Sequence, residues 1–118
     1  MLRITQYMQL LRTPAAVPPA RVPSGPVVIW NLVRRCNLTC KHCYALSADH
    51  DYPGELRFDE VCRVMEDLKS AHVPALILSG GEPLLRPDLF DIAANAKRLG
   101  FYVGLSTNGT LIDRKSVV

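Results

Sequence analysis

The sequence predicts an α/β fold in which parallel strands are joined by right-handed helical crossovers. Three short apolar segments, VVIWNLV, ALILSGGEP and FYVGLSTNG, have the composition of strands, and two segments with helical spacing separate them. This alternation is typical of a parallel sheet. Each strand also runs into an unusual loop, and in such folds the carboxyl ends of the strands form the ligand-binding edge.

The first 26 residues are predicted to precede the core. Residues 2–11 have the apolar spacing of a short amphipathic helix. The segment RTPAAVPPARVPSGP contains five prolines, which exclude a regular helix and favour an extended linker. We therefore expect an N-terminal extension over residues 1–26 and the core over residues 27–118.

The elements of the core follow from local patterns. The first strand, residues 27–33, is apolar with few polar breaks, which predicts burial on both faces. The first helix lies within RFDEVCRVMEDLKSAHV and carries Asp59 and Glu60 in its first turn, where the helix dipole favours acids. The second helix lies within RPDLFDIAANAKRLG, with Pro87 near its start and Gly100 as its stop.

The composition is that of one small soluble domain. The chain has 118 residues, of which 48% are hydrophobic and 21% are charged. It contains no run of roughly 20 apolar residues that could span a bilayer, and its first residues lack the pattern of a secretory signal. We expect a cytoplasmic protein without a membrane partner. In that reducing compartment, clustered cysteines indicate metal binding or redox chemistry more than disulfides.

Charge is unevenly distributed. The net charge is +3, and no acidic residue occurs before Asp49. The basic residues before that point are Arg3, Arg12, Arg21, Arg34, Arg35 and Lys41. This excess would suit an anionic substrate or an acidic electron donor, although a solvated surface without a partner is an equal alternative. Nucleic acid is not expected, because the chain has no dense basic run.

The segment RRCNLTCKHCY, at the end of the first strand, carries three cysteines with the spacing C-x3-C-x2-C. Cys36, Cys40 and Cys43 suit three irons of a 4Fe–4S cluster, which would leave the fourth iron open to a small ligand. A structural zinc site would need a fourth ligand, and a C-x2-C redox pair would leave Cys36 without a role. Core cysteines without a function are the remaining alternative. The fourth cysteine, Cys62, is expected in the core.

The cysteine motif, followed by GGEP after the second strand, resembles the radical S-adenosylmethionine superfamily over about residues 27–109. The resemblance implies the N-terminal half of a partial (β/α)6 TIM-type barrel. It also implies that Cys36, Cys40 and Cys43 ligate a 4Fe–4S cluster whose fourth iron is chelated by S-adenosylmethionine. Reductive cleavage of that cofactor would yield a 5′-deoxyadenosyl radical. The chemistry resides in the cofactors, so no side chain is assigned as catalytic.

The same resemblance implies cofactor contacts at three places. The glycines of GGEP lack side chains and so allow a close approach, and Glu82 suits the ammonium group of the cofactor. Polar groups after the third strand suit ribose or carboxylate, and a histidine in the cysteine loop suits the adenine. A tight turn, a turn signal and a solvated loop are the respective alternatives. The residues are Gly80, Gly81, Glu82, Pro83, Ser106, Asn108 and His42.

A narrower resemblance concerns the radical enzymes of haem d1 biosynthesis. It is carried by MLRITQYMQLLR, GPVVIWNLVRRCNLTCKHCY and GFYVGLSTNGTLID. It implies modification of tetrapyrrole propionate side chains, with electrons from a donor such as flavodoxin or ferredoxin. Enzymes that modify haem precursors or peptides are alternatives, as is a non-catalytic module that binds iron–sulfur or zinc. Because only RKSVV follows STNGTLID, we expect a fragment, a truncated gene product or a stand-alone remnant, whose sheet exposes an edge and apolar faces. The incomplete barrel could leave the isolated chain inactive.

Overall fold

The computed structural model describes residues 25–112, and the predicted N-terminal helix and most of the proline linker lie outside this range. The elements are β1 (Val28–Val33), α1 (Phe58–Ser70), β2 (Ala75–Gly80), a 3-10 turn (Pro83–Leu85), α2 (Leu89–Arg98) and β3 (Tyr102–Leu105). The order of strands and helices matches the prediction, and the 3-10 turn is an addition to it.

The three strands form one parallel sheet in the order β1-β2-β3. Leu76 in β2 lies opposite Val28 in β1 and Val103 in β3. The register between β1 and β2 shifts between Asn31 and Val33. Because the strands are parallel, the loops that follow them meet at one edge, and the predicted α/β fold is confirmed.

The core lies between the sheet and the two helices. It combines Leu32, Leu76 and Leu78 of the sheet with Val61 and Met65 of α1 and with residues of α2. The central strand β2 is buried as predicted. The prediction that β1 is buried on both faces is wrong, because Ile29 is 66% exposed.

The pattern of β1 explains this correction. Val28 and Trp30 pack partly against the core, whereas Ile29 and Asn31 alternate with them and are exposed. In residues 25–112 the core forms on only one face of the sheet. Apolar composition indicates that a strand is suited to burial, but it does not say whether a second layer is present to cover it.

The start of α1 and the end of α2 have the features that the sequence predicts. At the start of α1, the Glu60 carboxylate accepts a hydrogen bond of 2.8 Å from the backbone N–H of Arg57. At the end of α2, Gly100 adopts a φ of +82°. The N–H groups of Gly100 and Phe101 then reach the carbonyls of Lys97 and Ala96 at 2.9 and 3.1 Å. This paired arrangement is a Schellman motif, so Gly100 is confirmed as the stop.

None of the helices within the described range has the length and apolar character needed to cross a membrane.

Candidate cofactor site at the strand ends

Gly80, the last residue of β2, and Gly81 lie directly against the start of the cysteine loop. The N–H of Gly81 donates to the carbonyl of Val33 at 2.7 Å, and the N–H of Glu82 donates to that of Arg35 at 2.9 Å. A Cβ on Gly80 would lie 2.1 Å from the Val33 oxygen, and one on Gly81 would lie 2.2 Å from the Arg35 oxygen. The two glycines are therefore required for this contact between backbones. Their predicted approach to a cofactor remains a prediction.

Glu82 is the centre of a buried polar network. Its side chain is 0% exposed. One carboxylate oxygen accepts hydrogen bonds from the Leu84 N–H at 3.0 Å and the Thr107 hydroxyl at 2.7 Å, and the other accepts from the Asn108 N–H at 2.8 Å. The carboxylate thus joins the loop after β2 to the loop after β3. These contacts occupy the group that the sequence assigned to a cofactor ammonium, and that direct contact stays a prediction.

Asn108 links the loop after β3 to the cysteine loop. Its amide nitrogen Nδ2 lies 3.7 Å from the sulfur of Cys36 and 3.0 Å from Oδ1 of Asn37. Its amide oxygen accepts from the N–H and the hydroxyl of Thr110 at 2.9 and 2.7 Å. The predicted site residues Glu82 and Asn108 are therefore in contact with each other, and Asn108 also contacts the predicted cluster ligand Cys36.

A backbone hydrogen bond and two ion pairs join the start of the cysteine loop to residues 48–51 at its end. The N–H of Cys36 donates to the carbonyl of Ala48 at 3.1 Å. The Arg35 guanidinium pairs with Asp49 at 2.9 Å and with Asp51 at 3.0 Å. These ion pairs are exposed and contribute little stability each. The polar turn around residue 50 therefore acts as a partner of Arg35.

Within this loop, the Cys43 thiol lies beside several donors. The backbone N–H of Ser47 has the largest effect and lowers the pKa of the Cys43 thiol. Burial has the next largest effect and opposes this shift. Smaller lowering effects come from the N–H of Ala45, the Ser47 hydroxyl and the N–H of Leu46. The Ser47 hydroxyl is buried and has no hydrogen-bond partner among residues 25–112. The loop thus favours a thiolate at Cys43, which is the form that binds metals.

The three cysteines differ in exposure. Cys36 is 7% exposed, Cys43 is half-buried and Cys40 is exposed, and all three are free thiols. His42 and Ser106 are exposed as well, while Pro83 is buried at the start of the 3-10 turn. Across residues 25–112, no three cysteine, histidine or acidic side chains are arranged to hold one metal ion. The cysteines therefore share a loop at the predicted edge without forming a closed metal site.

Comparison with known proteins identifies the family. The family model described as the Radical SAM superfamily matches residues 30–117. The chain belongs to this superfamily. The parallel α/β fold and the cysteine loop at its strand ends agree with a partial radical SAM core.

Several curated relatives are similar to this radical SAM chain. Pre-heme d1 synthase of Dinoroseobacter shibae is 54% identical over 110 residues, which are 93% of this chain and 27% of that protein. Fe-coproporphyrin III synthase of Methanosarcina barkeri is 49% identical over 90 residues, 76% of this chain and 23% of that protein. AdoMet-dependent heme synthase of the same organism is 45% identical over 91 residues, 77% of this chain and 26% of that protein. The chain spans about a quarter of the length of these relatives.

The residues of the loop suit the cluster that the radical SAM superfamily implies. Iron–sulfur clusters are held by thiolates and are tuned by hydrogen bonds to their sulfurs. Two of the three sulfurs in the loop already receive such donors, from Asn108 at Cys36 and from the residue 45–47 segment at Cys43. The buried Ser47 hydroxyl, which no group among residues 25–112 accepts from, is a further donor in the same loop that a bound cluster could use.

Sequence reasoning missed two residues of this region. Arg86 is buried, and its guanidinium donates to the carbonyls of Leu32 at 3.2 Å and Leu56 at 2.8 Å and pairs with Asp88. It ties β1 to the segment before α1. Its partners are backbone carbonyls distant in sequence, so no local pattern marks it. Ser47 was missed for a similar reason, since a serine in a polar loop carries no signal of burial.

Proposed function

We propose that this chain is the cluster-binding front part of a radical S-adenosylmethionine enzyme that modifies the side chains of a tetrapyrrole. The observation that carries the proposal is the meeting of three loops at one sheet edge. One loop presents three free thiols, and Asn108 contacts both the first of these thiols and the buried carboxylate of Glu82. Such a rim is where parallel α/β folds bind ligands.

In this proposal Cys36, Cys40 and Cys43 hold the 4Fe–4S cluster. Cys36 is the buried and hydrogen-bonded member, Cys43 is the member whose pKa is lowered, and Cys40 is exposed. Because no shared metal geometry is present among residues 25–112, cluster binding requires the loop to rearrange so that the three sulfurs converge. When bound, the cluster and S-adenosylmethionine supply a radical able to abstract a hydrogen atom from the substrate.

The cofactor contacts are divided among residues with different surroundings. His42 and Ser106 have exposed side chains that are available to the adenine and ribose of S-adenosylmethionine. Gly80, Gly81 and Pro83 shape the loop beside which the methionine moiety would lie. Glu82 positions the loop after β3, because its carboxylate accepts hydrogen bonds from the backbone N–H of Asn108 and the hydroxyl of Thr107.

A tetrapyrrole substrate is supported by similarity and by charge. The relatives named above are synthases of pre-heme d1, Fe-coproporphyrin III and heme. The basic excess before Asp49 would attract a macrocycle that carries carboxylates, or an acidic electron donor such as flavodoxin or ferredoxin. Arg35 is compensated by two aspartates, whereas Lys41 is exposed beside Cys40. We place the protein in the cytoplasm, where its thiols stay reduced.

The test is anaerobic reconstitution of the 118-residue chain with iron and sulfide, followed by addition of S-adenosylmethionine. The proposal predicts an EPR signal of the reduced cluster that changes when S-adenosylmethionine is added, and formation of 5′-deoxyadenosine after reduction. Cys40→Ala should abolish both. Tight zinc uptake with no cluster would contradict the proposal and would favour a non-catalytic metal-binding module.

The substrate class is tested separately. A carboxylate-bearing tetrapyrrole should bind to the reconstituted chain with a shift in its visible absorption, and Lys41→Ala should weaken that binding. An uncharged tetrapyrrole of the same size is the control. Equal binding of both macrocycles would contradict the role of the basic residues.

A further inference from the structure

We propose that Asn108 is a positioning residue that sets the reduction potential of the cluster through a hydrogen bond to the sulfur of Cys36. This inference rests on the proposed function, because it assigns a role toward the cluster held by the cysteine loop. It concerns a side chain of the loop after β3 that contacts a predicted cysteine ligand of the cluster. The predicted contact of Asn108 with S-adenosylmethionine stays a separate prediction.

The orientation of the Asn108 amide is determined by its partners. The amide oxygen accepts from the N–H of Thr110 at 2.9 Å and from its hydroxyl at 2.7 Å. The amide nitrogen therefore faces the cysteine loop, where its two hydrogens have two acceptors. These acceptors are Oδ1 of Asn37 at 3.0 Å and the sulfur of Cys36 at 3.7 Å, a distance within reach of a large sulfur atom.

The position of Asn108 is fixed independently of the cysteine. Its backbone N–H donates to Glu82 at 2.8 Å, and the neighbouring Thr107 hydroxyl donates to the same carboxylate at 2.7 Å. Glu82 is fully buried and is further held by the N–H of Leu84 at 3.0 Å. A fixed donor that faces a buried sulfur does not have to reorganise when the charge on that sulfur changes.

The direction of the effect follows from charge. Reduction adds one negative charge to the cluster and its thiolates, and an N–H dipole aimed at a ligand sulfur stabilises the reduced form more than the oxidised form. Loss of this donor should therefore make the reduction potential more negative. The effect is larger at a buried sulfur than at an exposed one, and Cys36 is the buried ligand of the three.

The experiment is a redox titration of the reconstituted 118-residue chain, monitored by EPR and absorption. Asn108→Leu should lower the ratio of reduced to oxidised cluster at a fixed potential about threefold, which is about 28 mV for a one-electron couple. Asn108→Asp should shift the potential further in the same direction, because it replaces the donor with a negative charge.

Two controls separate a hydrogen bond from a general disturbance. Thr110→Val removes the hydroxyl that bonds to the Asn108 amide oxygen and accepts from the Asn37 amide, but it keeps the Thr110 N–H that orients the Asn108 amide. Both Asn108 amide hydrogens stay in place, so the potential should be unchanged. Asn95→Leu removes another amide that contacts a cysteine sulfur, that of Cys62 at 3.3 Å, and should also have no effect. If Asn108→Leu does not fold, Asn108→Ser, which has a shorter donor, should still give a more negative potential.

The outcomes distinguish this inference from the proposed function. A parent chain that forms no cluster overturns both. A parent chain that forms the cluster while the Asn108 variants keep its potential overturns this inference alone. An equal shift in Thr110→Val would also overturn it, because the shift would then come from the loop and not from the amide donor.

Discussion

The two sides of the predicted cofactor edge are built differently. The loops after β2 and β3 are joined through the fully buried Glu82, which accepts three hydrogen bonds from them. The cysteine loop after β1 is mostly exposed and is closed at its base by a backbone bond and by the exposed ion pairs of Arg35. One side is therefore organised by the protein itself, whereas the other presents thiols with little support around Cys40.

This difference suggests how the site is assembled. The loops after β2 and β3 are positioned by folding, through their hydrogen bonds to Glu82. Asn108 bonds to Glu82 and also contacts the sulfur of Cys36, so Cys36 is held against these ordered loops. The remaining cysteines would gain a fixed arrangement only from a metal cluster that links them, since binding free energy can order a loop. The comparison therefore predicts that substitutions on the Glu82 side affect folding, whereas substitutions at Cys40 affect cluster binding.

The largest expected effect on stability is that of Gly80→Ala. Gly80 combines a φ of +145° with a Cβ position 2.1 Å from a carbonyl oxygen, so strain and overlap add. We expect a loss of about 3 kcal/mol or more in the free energy of unfolding, measured by urea denaturation.

Gly54→Ala is the matched control for this prediction. Gly54 also has a positive φ, of +87°, but a Cβ there would meet no atom within 4 Å. Gly54→Ala should lower the free energy of unfolding by only about 1 kcal/mol, which is the cost of the backbone conformation. Equal losses for the two variants would show that the close contact between the loops is not important.

Glu82→Gln should have the next largest effect. The amide group would leave one of the three donors around position 82 without an acceptor, at a cost of about 2 kcal/mol in the free energy of unfolding. Glu55→Gln is the control, because the exposed Glu55 carboxylate accepts one bond from Arg34 at 2.8 Å and its loss should cost less than about 1 kcal/mol. A stable Glu82→Gln chain would contradict the role given to this carboxylate.

The cysteines provide a third comparison, before any metal is added. Backbone donors led by the Ser47 N–H lower the pKa of Cys43, whereas burial raises the pKa of Cys62. Alkylation of Cys43 should therefore reach half its maximal rate at a lower pH than alkylation of Cys62, as followed by mass spectrometry of each peptide. Ser47→Ala keeps the backbone N–H that lowers the Cys43 pKa most, so the Cys43 midpoint should stay below that of Cys62 in this variant. A Cys43 midpoint at or above that of Cys62 would contradict this account of the loop.

The smallest effect concerns the ion pair between Arg86 and Asp88. The hydrogen bond from Arg86 lowers the pKa of Asp88 in the folded chain. The pair therefore stabilises the folded chain at pH values above the ordinary aspartate pKa of about 3.9. This contribution is lost as the pH falls through the lowered pKa that Asp88 has in the folded chain. Asp88→Asn should reduce the acid dependence of unfolding by less than about 1 kcal/mol. An unchanged acid profile would contradict the pairing.

The sequence predicted those features that depend on local signals. The alternation of strands and helices predicted the parallel sheet, and Gly100 predicted the end of α2 because a left-handed residue is required there. The meeting of the three loops followed from the direction of the strands. The exposure of Ile29 was not predicted, because apolar composition does not reveal which face has a partner.

Long-range polar contacts could not be predicted. Glu82 was identified as a site residue, but its hydrogen bonds to Thr107 and Asn108 join segments that are 25 and 26 residues apart. The carbonyl partners of Arg86 lie 54 and 30 residues away. Such pairs depend on the packing of whole elements, so the sequence indicated which residues are present at the edge without indicating which of them bond to one another.

Iron and sulfide analysis combined with Mössbauer spectroscopy, after anaerobic reconstitution, tests most directly whether the loop cysteines hold the cluster. The parent chain and Cys62→Ala should each bind about four irons and four sulfides per chain, as a single 4Fe–4S cluster requires. Alanine at position 36, 40 or 43 should prevent this assembly. Full cluster content in any of those three variants, or its loss in Cys62→Ala, would contradict the assignment.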